Sequence, residues 1–462
     1  MSFLFSALRR IGLHLFLLLN IASVSAVEAV NPVIRDVTVQ QSLTLDYAWG
    51  INSNRSEILR ATYEGKSDLH IGEYLKFHGA IYATADAFDR LEPGTPSRDE
   101  ASPWTQPLLE GAQGRLELRE FYLQGYRNGW SWTVGKQQIV WGNSDKLRVL
   151  DRVNPFNFEL FILPDFADSR IPLWSLNLEL VVSEKWEIEN EFLQESTLQW
   201  IWLPDTTYHH FPQNGLFAFT SPIFNPLSNA TLPTTVNQAN KPNHFFSDSD
   251  VGFQWSTFWQ GWDLTLNYLY HYDDTPVFRR DLILGPQAPM VDVTPEYYRV
   301  HMIGGSASTA LGNHVLRTEI AWLLDKPLLT ESLLDNDGII TTTETSTVLG
   351  WDWYGWEDQV FSLQWFNSFI PSHAHESTRD RVESTVTFFW KAEIQDAKWI
   401  PQILCLQSIN RGDGLFSPRL THVWNDDLLL SVGVDVFYGS GEGLFGQFNR
   451  NDRVTTQIEC HF

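Results

Sequence analysis

Three glutamates two residues apart, Glu187, Glu189 and Glu191, alternate with Trp186, Ile188 and Phe192. On an extended chain a spacing of two puts side chains on one face, so the sequence predicts a row of carboxylates along one wall. Such a row does no covalent chemistry. It raises the local cation concentration in a water-filled passage. The same alternation predicts that Asp263, Arg299, Arg317 and Glu319 face that interior, with His301 beside Arg299 and with Arg60 and Lys76 nearer the start. A second set is Asp145, Lys146, Arg148, Asp151 and Arg152, mixed charges within one connection. Folded inward, it sets opposed charges across a passage and narrows it. The plainer alternative is an Arg–Asp network that only folds the connection against the wall.

Catalytic and metal readings have no support in the spacing. There is no G-x-S-x-G, no H-E-x-x-H and no glycine-rich phosphate loop. Asp335-Asn-Asp-Gly338 opens like a calcium loop but lacks the later glutamate. A barrel phospholipase or protease would need a Ser–His pair on one edge of the lumen, and nothing fixes one. We therefore expect no enzyme, no metal and no cofactor. The formal charge of −24 argues against nucleic acid, whose phosphates need Lys and Arg.

The elements that must position these charges are strands. Trp262, Leu264, Leu266, Tyr268, Tyr270 and Tyr272 share one face, and Asp263, Thr265, Asn267 and His271 the other. Leu316, Ile320 and Trp322 alternate with Arg317 and Glu319, and Trp174, Leu176, Leu178 and Leu180 with Asn177 and Glu179. Many of these runs reach the ~9–11 residues a membrane strand needs, longer than the ~5–6 of a globular strand. Aromatic residues near their ends fit interfacial girdles. Mean hydropathy is only −0.21 and no apolar run of 18 residues occurs, so spanning helices are excluded and a closed barrel is the remaining solution.

The runs from Val37 onward give an all-β, antiparallel, up-and-down transmembrane barrel of about 18 strands, with 16 as the alternative if the first hairpin lies outside the wall. Short connections, such as Gly65 to Ile71, Ser183 to Lys185 and Gln260-Gly261, alternate with long ones, such as Gly142 to Ile171 and Glu195 to Ser249. That alternation is expected of periplasmic turns and extracellular loops. Cys405 and Cys460 fall three strands apart, about 14 Å at ~4.8 Å per strand. A disulfide needs Cα atoms within ~7 Å, so both are expected to be free.

The first 26 residues read as a secretory signal: Arg9 and Arg10, the apolar run Ile11 to Leu19, and the small-residue site Val24-Ser25-Ala26. Its removal leaves 27–462, a barrel of 436 residues carrying −26, since the signal holds two Arg and no Asp or Glu.

The chain ends in an alternating run, Arg453 to Phe462. A terminal Phe462 resembles the signal read by the outer-membrane assembly machinery. The segment from Gly135 to Pro155, with Trp141-Gly-Asn-Ser-Asp-Lys-Leu-Arg-Val-Leu-Asp-Arg-Val-Asn-Pro155 at its heart, resembles the hallmark of a large, poorly characterised family of Gram-negative outer-membrane, porin-like proteins filed as a domain of unknown function. Asp168-Ser-Arg-Ile-Pro-Leu-Trp174 resembles its companion motif, and Phe445-Gly-Gln-Phe448 with Asn451-Asp452 also fits. The resemblance implies an outer-membrane barrel, Sec export, and lipid, lipopolysaccharide and the assembly machinery as partners. It implies no particular solute.

Two functions compete on the residues. One is a channel for passive passage of small hydrophilic solutes, with a modest cation preference. The other is a transporter for hydrophobic molecules such as fatty acids, sterols or hydrocarbons, for which the aromatic residues of Glu195 to Ser249 (Trp200, Trp202, Phe211, Phe217, Phe219) would form a capture site. The solute, an open or plugged lumen and the oligomeric state stay open at this level.

Overall fold

The computed structural model describes residues 34–89, 100–186, 190–220, 233–284, 289–330, 337–371 and 377–462. The signal segment, Glu187, Glu189 and Asp335 lie outside these. Eighteen strands form the wall: β1 (Ile34–Gly50), β2 (Arg55–Ile71), β3 (Leu75–Asp86), β4 (Gly114–Arg127), β5 (Trp130–Gln137), β6 (Leu173–Val181), β7 (Ser196–Leu203), β8 (Asp250–Trp259), β9 (Trp262–Tyr272), β10 (Arg299–Leu311), β11 (His314–Leu329), β12 (Ile339–Trp353), β13 (Gln359–Phe369), β14 (Val382–Ala392), β15 (Trp399–Ser408), β16 (Gly414–Asn425), β17 (Leu428–Tyr438) and β18 (Arg453–His461). Each pairs antiparallel with the next. β18 pairs with β1 from Gly50↔Arg453 to Ser42↔His461, which closes the barrel. A closed sheet leaves few open edges, and every wall strand finds two neighbours.

The two faces of the wall have opposite character. On β13, Ser362, Gln364 and Phe366 are buried while Leu363 and Trp365 are 43% and 47% exposed. On β17, Ser431, Gly433 and Asp435 point inward and Val432 is exposed. Apolar outside and polar inside is the reverse of a soluble domain and is the arrangement of a membrane-spanning barrel. Aromatic rings gather at the short-turn end: Trp259 pairs with Trp262 across Gln260-Gly261, Trp353 meets Trp356 at 5.0 Å, and Trp399 lies 4.2 Å from His422. Among the described residues no helix is long and apolar enough to cross a membrane. Cys405 and Cys460 are free.

Three strand boundaries differ from the sequence reading. β5 ends at Gln137, so the connection after it opens at 138 and not at Gly142. Gly65 to Ile71 belongs to β2, and the turn follows at Gly72 to Tyr74. Among its described residues, the segment Lys185 to Gln194 holds no strand. It holds parts of two short helices, Val182–Lys185 and Glu191–Gln194. The Asn190 side chain accepts the Phe192 N–H at 3.0 Å and caps the second, so a local cap outcompetes the alternating pattern. The wall strand here is β7, from within the stretch read as the longest loop. Its inner face carries Ile201 and Leu203, both buried, and this blurs the polar-apolar alternation.

Long connections crowd the other end. Val277–Leu284 and Pro289–Glu296 form a hairpin there, joined in parallel by Thr234–Val236.

Candidate functional site: the lumen and its inserted connection

The connection from β5 to β6, residues 138–172, turns back into the barrel. Ile139, Trp141, Val149, Leu150 and Val153 form one buried cluster with Leu173, Ile201, Leu203, Leu269, Val300, Met302, Ala321, Leu323, Val348 and Phe366 of the inner wall. Glycines on the wall make room for it. A Cβ on Gly304 would lie 2.5 Å from Leu150, and one on Gly252 would lie 2.7 Å from Trp141.

Polar contacts lash the insert to the wall. Glu319 is 2% exposed, and its carboxylate accepts the backbone N–H of Asn143 and, at 3.2 Å, of Leu150. Arg317 donates to the Asn143 carbonyl at 2.5 Å, to Asp145 at 3.0 Å and to Asp352 at 2.9 Å. Gln364 donates to Asp145 at 2.8 Å. Arg317 and Glu319 therefore face the interior, as partners of the insert.

The other hallmark charges fold the insert itself. Arg148 donates to the carbonyls of Asp151 and Asn154 and lies 4.1 Å over the Phe156 ring. Burial draws its pKa down to about 10. Asp151 pairs with Arg170 at 2.8 Å, and Asn154 accepts the Ile139 N–H and donates to the Ile171 carbonyl. The hallmark and its companion motif thus meet in space. Lys146 braces Asp165 at 3.1 Å, and Arg152 donates to the Val149 carbonyl at 3.0 Å. His209 is buried, with its Nδ1 accepting the Phe156 N–H at 2.8 Å and its Nε2 2.6 Å from the Arg148 guanidinium. Burial, and then the Arg148 charge, hold its pKa well below 6.5.

The far side of the insert meets the opposite arc. Phe161 and Phe217 pack with Leu406, Leu415, Phe437, Phe445 and Phe448. Asn451 donates to the Leu216 carbonyl, and Asp452 accepts the Phe437 N–H at 2.9 Å. The terminal motif is the seat for this end of the insert. Phe211, Phe217 and Phe219 pack among Phe158, Phe161 and Phe448. Trp200 and Trp202 lie on the outer face of β7.

What remains of the lumen beside the insert is a cavity of about 530 Å³, walled by β1 to β5 and β16 to β18. Its lining holds nine carboxylates and six Lys or Arg side chains, an acidic excess. Glu159, on the insert, bridges Arg60 at 2.5 Å and Arg115 at 2.8 Å. Arg119 donates to the carbonyls of Ala167 and Asp168. Asp168 is exposed to the cavity, where the surrounding protein raises its carboxyl pKa and the Arg119 charge opposes that. The Asp165 side chain is 85% exposed. Across the cavity, Asp435 holds Arg453 at 2.8 Å and Asp46 accepts from Gln457 at 2.9 Å.

The remaining sequence candidates are scattered. Asp263 lies exposed on the inner face of β9, beside its short turn. Glu191 opens a short helix in the β6–β7 connection, so no acidic strand row exists through it. Arg299 shares the outer face of β10 with Ile303, and lies 4.7 and 3.9 Å over the rings of Tyr270 and Tyr272. It bonds Asp250 at 2.7 Å at the long-connection rim. It does not line the lumen, because Val300 and Met302 take the inner positions against the insert. The N–H of Phe462 donates to the Gln41 carbonyl at 3.0 Å, beside the closing seam.

Sequence reasoning missed Glu159, Asp165 and Asp168, which lie outside any strand. It also missed Arg115, Glu117 and Arg119. A β-bulge makes Arg119 the extra residue between Leu118, opposite Ile81, and Glu120, opposite Ala80. The period of two breaks there.

The family model described as a protein of unknown function, DUF1302, matches residues 51–462. The chain belongs to the DUF1302 family. No curated protein matches it. Among solved structures this DUF1302 chain is similar to Salmonella typhi OmpF in complex with daunomycin, at 10% identity and a TM-score of 0.44, over 92% of this chain and 97% of that one. Acinetobacter baumannii OccAB2 gives 9% identity and 0.49, over 94% and 99%. A mutant porin of Rh. blastica gives 9% and 0.40, over 92% and 100%. Likeness at this level adds nothing to the closed, porin-like strand pairing already described for the DUF1302 barrel.

Proposed function

We propose that this DUF1302 barrel is a passive channel of the Gram-negative outer membrane, exported by the Sec pathway, that admits small hydrophilic solutes with a modest cation preference. The observation that supports this most is the charged cavity of about 530 Å³ left between the insert and the arc from β16 through β1 to β5. An apolar carrier would line its path with apolar groups, whereas here fifteen charged side chains stand among Ile58, Leu118, Leu160, Leu163 and Ile171. Asp165 and Asp168 supply acidic charge from the insert, and Glu159 is neutralised by Arg60 and Arg115. Asp145, Lys146, Arg148, Asp151 and Arg152 hold the constriction in place and do not themselves select. Arg317 and Glu319 anchor it from the wall. Asp263 contributes to the short-turn mouth. The long connections face outward from the cell, lipid and lipopolysaccharide surround the wall, and Phe462 serves assembly.

Liposomes loaded with the purified barrel and challenged with neutral sugars of increasing size test this. Swelling with the smallest sugars and a sharp fall with size is the expected result. No swelling with any of them contradicts a passive channel.

A further inference from the structure

The cations that line the lumen cavity are of two kinds. Arg60, Arg115 and Arg453 each hold a carboxylate within 2.9 Å. Lys136 and Arg119 line the cavity too, and among the described residues they hydrogen-bond only to neutral oxygens. Lys136 is 4% exposed, and its ammonium donates to the Leu118 carbonyl at 2.8 Å. An ammonium has three donors, and its burial without a counter-charge is costly. Asp205 is the carboxylate that acts on it most strongly, but Asp205 is already taken by Thr105, Thr207 and the Trp174 N–H. Arg119 donates to the carbonyls of Ala167 at 2.7 Å and Asp168 at 2.9 Å. Its Nε–H is buried and meets no partner among the described residues.

The bulge in β4 brings these two cations together. Arg119 is the extra residue there, and the carbonyl that receives Lys136 belongs to Leu118, the residue before it. Asp168 joins them, since Arg119 holds its backbone carbonyl. The Asp168 carboxylate is exposed to the cavity and makes no ion pair among the described residues. Other carboxylates of the lining are paired: Glu64 with Lys66, Glu117 with Arg115, and Asp165 with Lys146.

We propose that this side of the cavity is a binding site for a small amino carboxylate. The solute's carboxylate meets the Lys136 ammonium and the Arg119 guanidinium, and its ammonium meets the Asp168 carboxylate. A simple anion would satisfy the two cations but be repelled by Asp168 and by the acidic excess of the lining. A simple cation would meet Asp168 and leave Lys136 uncompensated. A zwitterion answers both. The proposal deepens the channel reading by naming a solute class, and rests on that reading for passage but not for binding.

The test is titration calorimetry of the full chain in detergent, which reads binding without passage. The probe is γ-aminobutyrate, whose flexible chain can span both charges. One molecule should bind per barrel, with butyrate and butylammonium each about tenfold weaker, the loss of one charge-assisted contact. K136M keeps the stem and removes the charge, and should weaken γ-aminobutyrate and butyrate alike, by about tenfold. D168N should weaken γ-aminobutyrate by a similar factor and leave butyrate unchanged. Heat-modifiable mobility checks that both variants remain closed barrels, and the three probes on the wild type decide the matter if a variant does not fold. No saturable heat from the wild type overturns the site, and so does a folded K136M that binds like wild type. Butyrate as tight as γ-aminobutyrate overturns the amino carboxylate as occupant. A barrel that binds γ-aminobutyrate but swells with no sugar supports the site and contradicts the channel alone.

Discussion

Glu319 shows how one side chain decides whether the insert is held. Its carboxylate is buried and accepts two backbone N–H groups of the insert. Glu319→Ala leaves both donors unpaired in a buried site, at about 1–3 kcal/mol each. The strand pairing of β11 does not depend on that side chain, so the barrel should still fold while the insert loosens. Larger and noisier single-channel currents with unchanged heat-modifiable mobility are expected. Currents identical to wild type would remove Glu319 as an anchor. Arg317 and Glu319 were legible from alternation alone, because Leu316 and Trp322 mark the outer face of β11 without ambiguity. Arg299 was not. Its strand turns Val300 and Met302 inward against the insert, so the rule of polar inside fails where the lumen is filled with protein. A reader of the sequence cannot see that filling, because the residues that cause it, Leu150 and Trp141, lie some 150 positions earlier.

At the scale of elements, the 138–172 connection is the part on which the proposed function turns. Its hallmark run was legible as an inward-folding candidate, but the division of labour within it was not. Arg148, Asp151 and Asn154 turn most of their polar groups inside the connection, Glu159 is buried against Arg60 and Arg115, and Asp165 and Asp168 are left to meet the solvent side. His209 gives this element a pH limit. Its pKa is lowered in the folded chain by burial and by Arg148, so the unfolded segment binds the proton more tightly. The neutral ring's contribution is present above the unfolded pKa of about 6.5 and is lost as pH falls below it. Asp274 lies 3.9 Å from the ring, and burial raises its pKa far above the usual carboxylate value. Its own protonation favours the folded insert and opposes part of the His209 loss. The comparison with His209→Gln isolates the ring. Proteolysis of the insert in the reconstituted barrel should therefore accelerate between pH 6.5 and 5 in the wild type, and much less in His209→Gln. A rate flat with pH in the wild type would exclude His209 as the sensitive group. The missed strand β7 belongs to this scale too. Its inner Ile201 and Leu203 serve the insert, and the capped turn before it imitates a strand in its spacing.

The molecule as a whole was the most legible part. Eighteen strands, alternating short and long connections, aromatic ends and a net charge of −24 all follow from local pattern and composition. Closure between β1 and β18 adds the one long-range fact, and it needs only an even strand number and a terminal strand with two usable edges. The charge balance of the lumen is the property that joins the whole chain's acidity to its proposed function. Carboxylates outnumber cations around the cavity, and screening acts over ~10 Å at 0.1 M salt, so selectivity should strengthen in dilute salt. The most direct measurement is the reversal potential of the purified barrel in a planar bilayer under a potassium chloride gradient. A cation-selective sign is expected, reduced toward zero in D165N combined with D168N, with conductance retained. An anion-selective wild type, or a folded barrel that passes no current, would contradict the account.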